Sequence, residues 1–405
     1  MKLLIADKLH PRAVEELRSL PLEVVYEPEL TPETLESKLK GVGILVVRST
    51  AVTAKAIESA RELNLIVRAG TETTTIDVRA ASKRGVYVAN CPGKNAAAVA
   101  ELAFGLMVCL DRRVPDAVAS LRAGKWERAE FARAEGLWGK TLGIAGLGAI
   151  GREIASRARA FGLNPVAFSR GLTQSRAAEL GVGVAGSIEE LARRSDILTV
   201  HLPINERTKH IINAKVLEAL PKGAMFLNLA RADLVDYPAL RTAVRERGLR
   251  AALDVYPDEP KGHAAFKSDL FEENKSGGIL YGTPHIAAST DQGQFAIATE
   301  TVRVIRSFLL EGNVTNVVNV SNSSIAKFQL VIRMLDRVGT LANVLGVIKR
   351  HGINVEEVTN TVFEGGVASC AKLRVHQRPS EASLQEISAF DEVLHVDVVT
   401  LPNLA

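Results

Sequence analysis

The feature that most constrains this chain is Gly146-Leu147-Gly148-Ala149-Ile150-Gly151. It follows the apolar run Leu142-Gly143-Ile144-Ala145 directly and precedes the helical stretch Arg152 to Ala160. Three glycines at this spacing mean little alone, but between a strand and a helix they have a mechanism. Gly146 permits the tight turn, Gly148 lets backbone N–H groups approach a pyrophosphate, and Gly151 lets the helix lie close on the strand. The helix N-terminus, with Ala149 and Ile150 in its first turn, then presents its positive end to phosphate. The competing reading is a glycine loop used only for packing. The motif requires a βαβ unit and hence a parallel sheet covered by helices.

The next strand, Pro165-Val166-Ala167-Phe168, ends on Ser169-Arg170, with no carboxylate to bind an adenosine ribose 2′-hydroxyl. Ser169 and Arg170 can hydrogen-bond a 2′-phosphate instead, which predicts that NADP is accepted beside or ahead of NAD. Arg170 can equally be a solvated surface residue or lie against adenine.

Around this unit, short β-rich runs alternate with helical patterns over the first 290 residues. Leu3 to Ala6, Leu22 to Tyr26, Gly43 to Val47, Leu65 to Val67 and Val86 to Ala89 read as strands. Pro11 to Leu20, Pro32 to Leu39, Ala54 to Arg61 and Asp77 to Arg84 read as helices, two of them opening on proline. An alanine-rich helix is expected from Ala96 to Cys109 and on toward Leu121. Further strands are expected at Ile197 to His201, Ala224 to Asn228, Arg250 to Asp254 and Ile279 to Tyr281. After the polar stretch Asn313 to Ser324 the pattern becomes βαββαβ, with Glu364-Gly365-Gly366 as a hairpin turn.

Composition narrows the functional classes. A formal net charge of +4 over 405 residues, with no basic run, gives no footing for nucleic acid. Cys91, Cys109 and Cys370 have no metal or redox spacing and read as reduced thiols in a cytoplasmic protein. No apolar run reaches the roughly 20 residues of a membrane span.

Three segments fall at C-terminal ends of strands in the glycine-motif series, where α/β ligands bind. They are Asn228-Leu229-Ala230-Arg231, Asp254-Val255-Tyr256-Pro257-Asp258-Glu259-Pro260 and Thr283-Pro284-His285-Ile286-Ala287-Ala288-Ser289. One arginine, one glutamate and one histidine delivered to one edge suit hydride transfer from an alcohol. A cation holds a carboxylate and polarises a carbonyl, an imidazole takes the hydroxyl proton, and a carboxylate orients that imidazole and favours its charged form.

With the glycine motif, these segments resemble the D-2-hydroxyacid dehydrogenase family, closest to its phosphoglycerate-oxidising members with a C-terminal ACT domain. Val46-Val47-Arg48-Ser49, Asn90-Cys91-Pro92-Gly93-Lys94-Asn95 and Gly124-Lys125-Trp126-Glu127-Arg128 carry the resemblance further. It implies a catalytic set of Arg231, Glu259 and His285, which would take D-3-phosphoglycerate to 3-phosphohydroxypyruvate. The substrate would also meet Gly70, Thr71, Arg48 and, from a neighbouring subunit, Arg128. Cofactor contacts would include Thr71, Pro203, Thr208, Ala230, Asp254 and Ala288. The implied fold is a Rossmann-type domain (95–290) inserted in a flavodoxin-like substrate domain (1–94 and 291–312). A linker (313–325) and a ferredoxin-like ACT domain (326–405) would follow, in a homodimer or homotetramer.

The departures matter as much. The family's loop after Arg68-Ala69-Gly70 usually has glycine and then Asp or Asn where this chain has Glu72 and Thr74. A glutamate there brings a Cβ to a loop that can require positive φ, and a negative charge near an anionic substrate; the alternative is that Glu72 points to solvent. Ala232 replaces a glycine. In the C-terminal module, Asp336-Arg337-Val338-Gly339-Thr340-Leu341 and Asn354 are the candidate amino-acid effector positions. The segment Leu335 to Gly339 lacks the His and Asn of serine-inhibited relatives. Two other functions stay open: an NADPH-dependent hydroxypyruvate or glyoxylate reductase, and a non-catalytic nucleotide-sensing regulator.

Overall fold

The computed structural model describes residues 1–260, 264–266, 268–271, 278–321 and 325–402. They form two compact units, Met1–Asn319 and Val320–Ala405.

The first unit contains two parallel sheets. One is built from β1 (Lys2–Ile5), β2 (Glu23–Tyr26), β3 (Val42–Val47), β4 (Leu65–Arg68) and β5 (Tyr87–Ala89), in the order β2-β1-β3-β4-β5. Alternate residues of these strands enter two cores. Leu4, Leu45, Val47 and Ile66 pack under Leu35, Ile57 and Ala81 of the helices on one face. Leu3, Ile5, Ile44 and Val67 pack under Val14, Leu17, Ile297 and Ile305 on the other. With both faces covered, β3 reads Val-Gly-Ile-Leu-Val-Val without a polar residue. The helix Asp291–Glu311 thus returns the chain to this first sheet after the second is complete. Residues 313–319, within the stretch read as a linker, are built into the same lobe. Val318 N–H donates to Val88 O (2.8 Å) and Val88 N–H to Asn319 Oδ1 (2.9 Å).

The second sheet takes β6 (Thr141–Ala145), β7 (Asn164–Phe168), β8 (Gly183–Val184), β9 (Ile197–Val200), β10 (Met225–Asn228), β11 (Arg250–Leu253) and β12 (Ile279–Gly282). Their order is β12-β11-β10-β9-β6-β7-β8. The order reverses between β6 and β9, the crevice where doubly wound sheets bind ligands. The two-residue β8 was too short to stand out in the sequence. The alanine-rich helix runs Ala96–Arg112 and packs Val99, Ala103, Met107 and Leu110 against Leu142, Ile144 and Leu227. It does not continue to Leu121. Arg113 turns left-handed (φ 52°), and Pro115 opens a separate helix, Val114–Arg122. Proline has no N–H for the helical ladder, and its ring clashes with the carbonyl four residues earlier. The second helix buries none of its residues.

The second unit is β13 (Phe328–Leu335), helix Thr340–Arg350, β14 (Val355–Val362), β15 (Ala368–Val375), helix Glu381–Ser388 and β16 (Val393–Thr400). The strands pair antiparallel in the order β14-β15-β13-β16 over a core of Leu330, Ile332, Val344, Ile348 and Leu373. Gly365 (φ 87°) and Gly366 (φ 66°) close the β14–β15 hairpin; two consecutive left-handed residues suit glycine there.

Candidate active site

The glycine loop shows a separate reason for each glycine. Gly146 has φ 100°, and a Cβ there would meet His201 O at 2.6 Å. A Cβ on Gly151 would meet Gly146 O at 2.1 Å, so only glycine lets the helix Ala149–Ala160 sit this close to β6. A Cβ on Gly148 would meet nothing within 4 Å: the side facing away from the protein is open to an approaching group. Beside the loop, β7 ends at half-buried Ser169 and exposed Arg170. The residues fit a dinucleotide: an open backbone cradle at a helix N-terminus, with a cation where the ribose would lie. Pro203 and Thr208 belong to one turn, in which Thr208 Oγ1 donates to Pro203 O (2.7 Å).

Glu259 and His285 are brought together. His285 Nδ1 donates to Glu259 Oε2 (2.7 Å), and the other oxygen, Oε1, accepts the Tyr256 N–H (2.9 Å). A carboxylate at Nδ1 fixes the ring orientation and leaves Nε2 to exchange a proton. His285 is one of four described non-glycine residues at positive φ (53°), a conformation costing roughly 1–2 kcal/mol. Buried Asp254 holds it. Its Oδ1 accepts Thr283 Oγ1–H (2.6 Å) and Ile286 N–H (2.8 Å), and its Oδ2 accepts Ala287 N–H (2.9 Å). Asp254 is fully buried and spends its oxygens on this arm. Tyr256 and Tyr237 pin the neighbouring loop through Leu253 O (3.0 Å) and Val255 O (2.7 Å). Burial raises both hydroxyl pKa values, so they stay neutral donors.

Arg231 follows β10. Fully buried Asn228 brackets it: Asn228 Nδ2 donates to Arg231 O (2.9 Å), and Ala230 N–H donates to Asn228 Oδ1 (3.1 Å). The Arg231 side chain, about one-third exposed, meets Glu72. Its Nε donates to Glu72 Oε2 (3.1 Å), and Nη2 reaches the same oxygen. Glu72 therefore does not point freely outward. Nor does it take a positive φ, so its Cβ brings no left-handed strain. Gly70 leaves room for a neighbour: a Cβ there would fall 1.5 Å from Arg68 Nη1, so the Arg68 guanidinium would have to move. Thr71 is tied at Oγ1 to Asn95 Oδ1 (3.2 Å) and at O to Asn90 Nδ2.

Arg48 leaves the end of β3, where buried Asp7 collects the Arg48, Ser49 and Thr50 N–H groups (2.7, 3.1 and 3.0 Å). Arg68, Arg48, Arg231 and Glu72 sit close together. Burial lowers the Arg68 guanidinium pKa, Glu72 opposes that shift, and Arg48 and Arg231 add to it. Arg128 is exposed at the start of the short helix Arg128–Phe131. Among the described residues it forms no hydrogen bond or ion pair with Arg48, Arg231 or His285. Ala288 is half-buried beyond the His285 arm. In the second unit, Asn354 Nδ2 donates to Glu356 Oε1 (2.9 Å) and Gly339 caps the helix Thr340–Arg350 with φ 93°.

Of the supporting residues, Asp7 and Tyr256 had no sequence signal of their own. The exception is local: Asn228 ends a strand three residues before Arg231, a spacing that a side-chain cap on the following turn would explain. Among the described residues no cluster of His, Cys, Asp and Glu could hold a metal ion, and no helix is long and apolar enough to cross a membrane.

Residues 104–287 match the family model described as D-isomer specific 2-hydroxyacid dehydrogenase, NAD binding domain. The chain is 38% identical over 348 residues to a D-3-phosphoglycerate dehydrogenase of Methanocaldococcus jannaschii, covering 84% of this chain and 64% of that protein. It is 33% identical over 383 residues to a D-3-phosphoglycerate dehydrogenase of Archaeoglobus fulgidus, covering 90% and 71%. The chain thus spans about two thirds of these relatives' length. Among solved structures, the NAD+-bound 3-phosphoglycerate dehydrogenase of Entamoeba histolytica is similar with a TM-score of 0.64 and 27% identity, over 79% of this chain and 99% of that one.

Proposed function

This chain belongs to the D-isomer specific 2-hydroxyacid dehydrogenase family, and on that premise we propose that it interconverts D-3-phosphoglycerate and 3-phosphohydroxypyruvate with a nicotinamide dinucleotide. The observation that carries the proposal is the Glu259–His285 pair (2.7 Å) and Arg231 on strand ends of the sheet whose first turn is the glycine loop. A bound dinucleotide would supply or accept the hydride. Gly146, Gly148, Gly151, Ala149 and Ile150 would hold its phosphates, with Ser169 and Arg170 beside the adenosine ribose.

In the oxidation, the substrate hydroxyl proton passes to His285 Nε2 as the C–H hydride leaves. Glu259 stabilises the resulting imidazolium through Nδ1. Arg231 holds the carboxylate and polarises the forming carbonyl. In the reduction the imidazolium returns the proton. Arg48 is the cation for the substrate phosphate. Arg128 would complete that site from a second subunit, since it joins none of these groups within one chain. A homo-oligomer also suits the helix Val114–Arg122, whose Val114, Val118 and Leu121 are exposed. The three free thiols suit the cytoplasm.

Arg170, exposed with no carboxylate at the end of β7, favours a second reading in which NADP is used. The βαββαβ unit, with its β14-β15-β13-β16 sheet, supports an ACT-type effector module.

Initial rates with 3-phosphoglycerate, and in reverse with 3-phosphohydroxypyruvate, hydroxypyruvate and glyoxylate, each with NAD(H) and NADP(H), test the assignment. Turnover should be highest with the phosphorylated pair. Dominance of hydroxypyruvate or glyoxylate with NADPH would replace it with the reductase reading, and no turnover of any pair would leave a nucleotide-binding regulator.

A further inference from the structure

Arg231 bonds the carboxylate of Glu72, and Arg68 lies within electrostatic reach of Glu72 and of two further guanidiniums, those of Arg48 and Arg231. That carboxylate comes from the loop after β4, in the first lobe, and takes its bond from the arginine after β10, in the second. Both side chains are about one-third exposed (Glu72 34%, Arg231 37%). Arg48 and Arg68 have no carboxylate within salt-bridge distance among the described residues, and Arg68 Nε is buried with no hydrogen-bond partner. One negative charge against three positive ones leaves the cluster net cationic. It can still draw an anion inward while Arg231 is occupied.

We propose that Glu72 is an internal stand-in for the substrate carboxylate: it closes on Arg231 across the cleft and is displaced when an anionic substrate, drawn by Arg48 and Arg68, takes that place. The inference rests on the hydride-transfer reading, in which Arg231 holds the substrate carboxylate. A carboxylate attached to a short loop meets its partner at an effective concentration in roughly the millimolar range, so it competes with a free metabolite. No chemical step is added; a carboxylate on Arg231 is exchanged for a carboxylate.

Displacement and simple repulsion make different predictions. If Glu72 leaves, every carboxylate substrate bears the same cost of breaking one ion pair. Removing Glu72 should then lower KM by one common factor for substrates of different charge. If Glu72 stays and repels, the phosphorylated substrate, with more negative charge, should gain more than the unphosphorylated one.

The test measures KM and kcat of the full chain with 3-phosphohydroxypyruvate and with hydroxypyruvate, for the unaltered protein, Glu72→Gln and Glu72→Gly. A partly exposed ion pair corresponds to roughly a fivefold change. Both variants should therefore lower KM about fivefold for both substrates, leaving their ratio unchanged. A larger gain for the phosphorylated substrate overturns displacement in favour of repulsion. Unchanged or raised KM, with a lower melting temperature in Glu72→Gln, makes the pair a structural tie and overturns the proposal. Turnover of neither substrate by the unaltered protein, with NADH or NADPH, removes the hydride-transfer reading itself.

Discussion

The arm that carries His285 and the arm that carries Glu72 are fastened in opposite ways. His285 lies in a left-handed turn that its own lobe holds: the buried Asp254 binds Thr283, Ile286 and Ala287, and Glu259 binds the ring. The backbone of the Glu72 arm is tied to its own lobe on both sides, where Gly70 O accepts Cys91 N–H (2.8 Å), Thr71 meets Asn90 and Asn95, and Thr75 O accepts Val52 N–H (2.8 Å), but the Glu72 side chain is held from elsewhere. The Glu72 carboxylate bonds Arg231, 159 residues away. The difference teaches where rigidity and adjustability lie in this site. The arm of the proton-transfer pair is preorganised by hydrogen bonds to the fully buried Asp254, whereas the anion seat is closed by an ion pair about one-third exposed that a ligand can exchange.

The comparison breaks most readily at His285. His285→Ala should lower kcat about 10³-fold if the ring carries the proton. Asp254→Asn should show the same signature more weakly, about tenfold in kcat, because an amide placed against N–H donors loosens the arm. Should Asp254→Asn instead move only the dinucleotide KM, Asp254 is a cofactor contact and the arm is not held as described.

A charge also anchors the first lobe. Glu300, on the helix Asp291–Glu311, accepts from Lys94 (3.2 Å), Arg303 (2.5 Å) and Asn316 (2.6 Å), with its side chain 7% exposed. Lys94 lies just before the segment that enters the second lobe. Arg303 foremost, then Asn316 and Lys94, hold the Glu300 pKa down to about 2 against burial. A depressed carboxylate stabilises the fold above its ordinary value of 4.5, and that stability is lost as pH falls from 4.5 toward 2. Melting curves of the unaltered chain and Glu300→Gln should therefore differ by about 3 kcal/mol at neutral pH and converge in acid. His201, buried and held neutral with a pKa of about 3, loses stability in acid in both proteins and cancels in the difference. A gap that stays constant with pH would show that Glu300 is not ionised in the fold.

The smallest effect concerns the glycine loop. Gly151→Ala places a Cβ 2.1 Å from Gly146 O and should cost roughly 1–3 kcal/mol in stability together with weaker dinucleotide binding. Gly148→Ala meets no protein atom and should leave the melting temperature alone while still weakening the dinucleotide, read by titration. Equal melting losses in both would mean that the loop serves packing alone.

Much of this was legible in the sequence. The glycine loop, the alternation of strands and helices and the βαββαβ pattern are written in residues adjacent along the chain, because turns, periodicity and strand runs are local properties of the backbone. That Glu259 and His285 would meet was legible for a related reason. In a parallel sheet, the residues just after successive strands converge on one edge, so order along the chain predicts proximity in space.

Other features needed the fold. Local propensity alone did not separate one helix past Cys109 from two, and the left-handed Arg113 ahead of Pro115 made two. Residues 313–319 looked polar enough for a linker, yet they lie along β5 because Val88 O accepts Val318 N–H and Val88 N–H donates to Asn319 Oδ1. Asp254 reads as a ligand contact in the sequence, and only the fold shows it fully buried and bonded to Thr283, Ile286 and Ala287. Glu72 could be placed in the loop by sequence alone, but its partner could not. Backbone constraints act between neighbours and leave a local signature; a charge pairs with whatever the folded chain brings within a few ångströms, which here is an arginine on the other lobe.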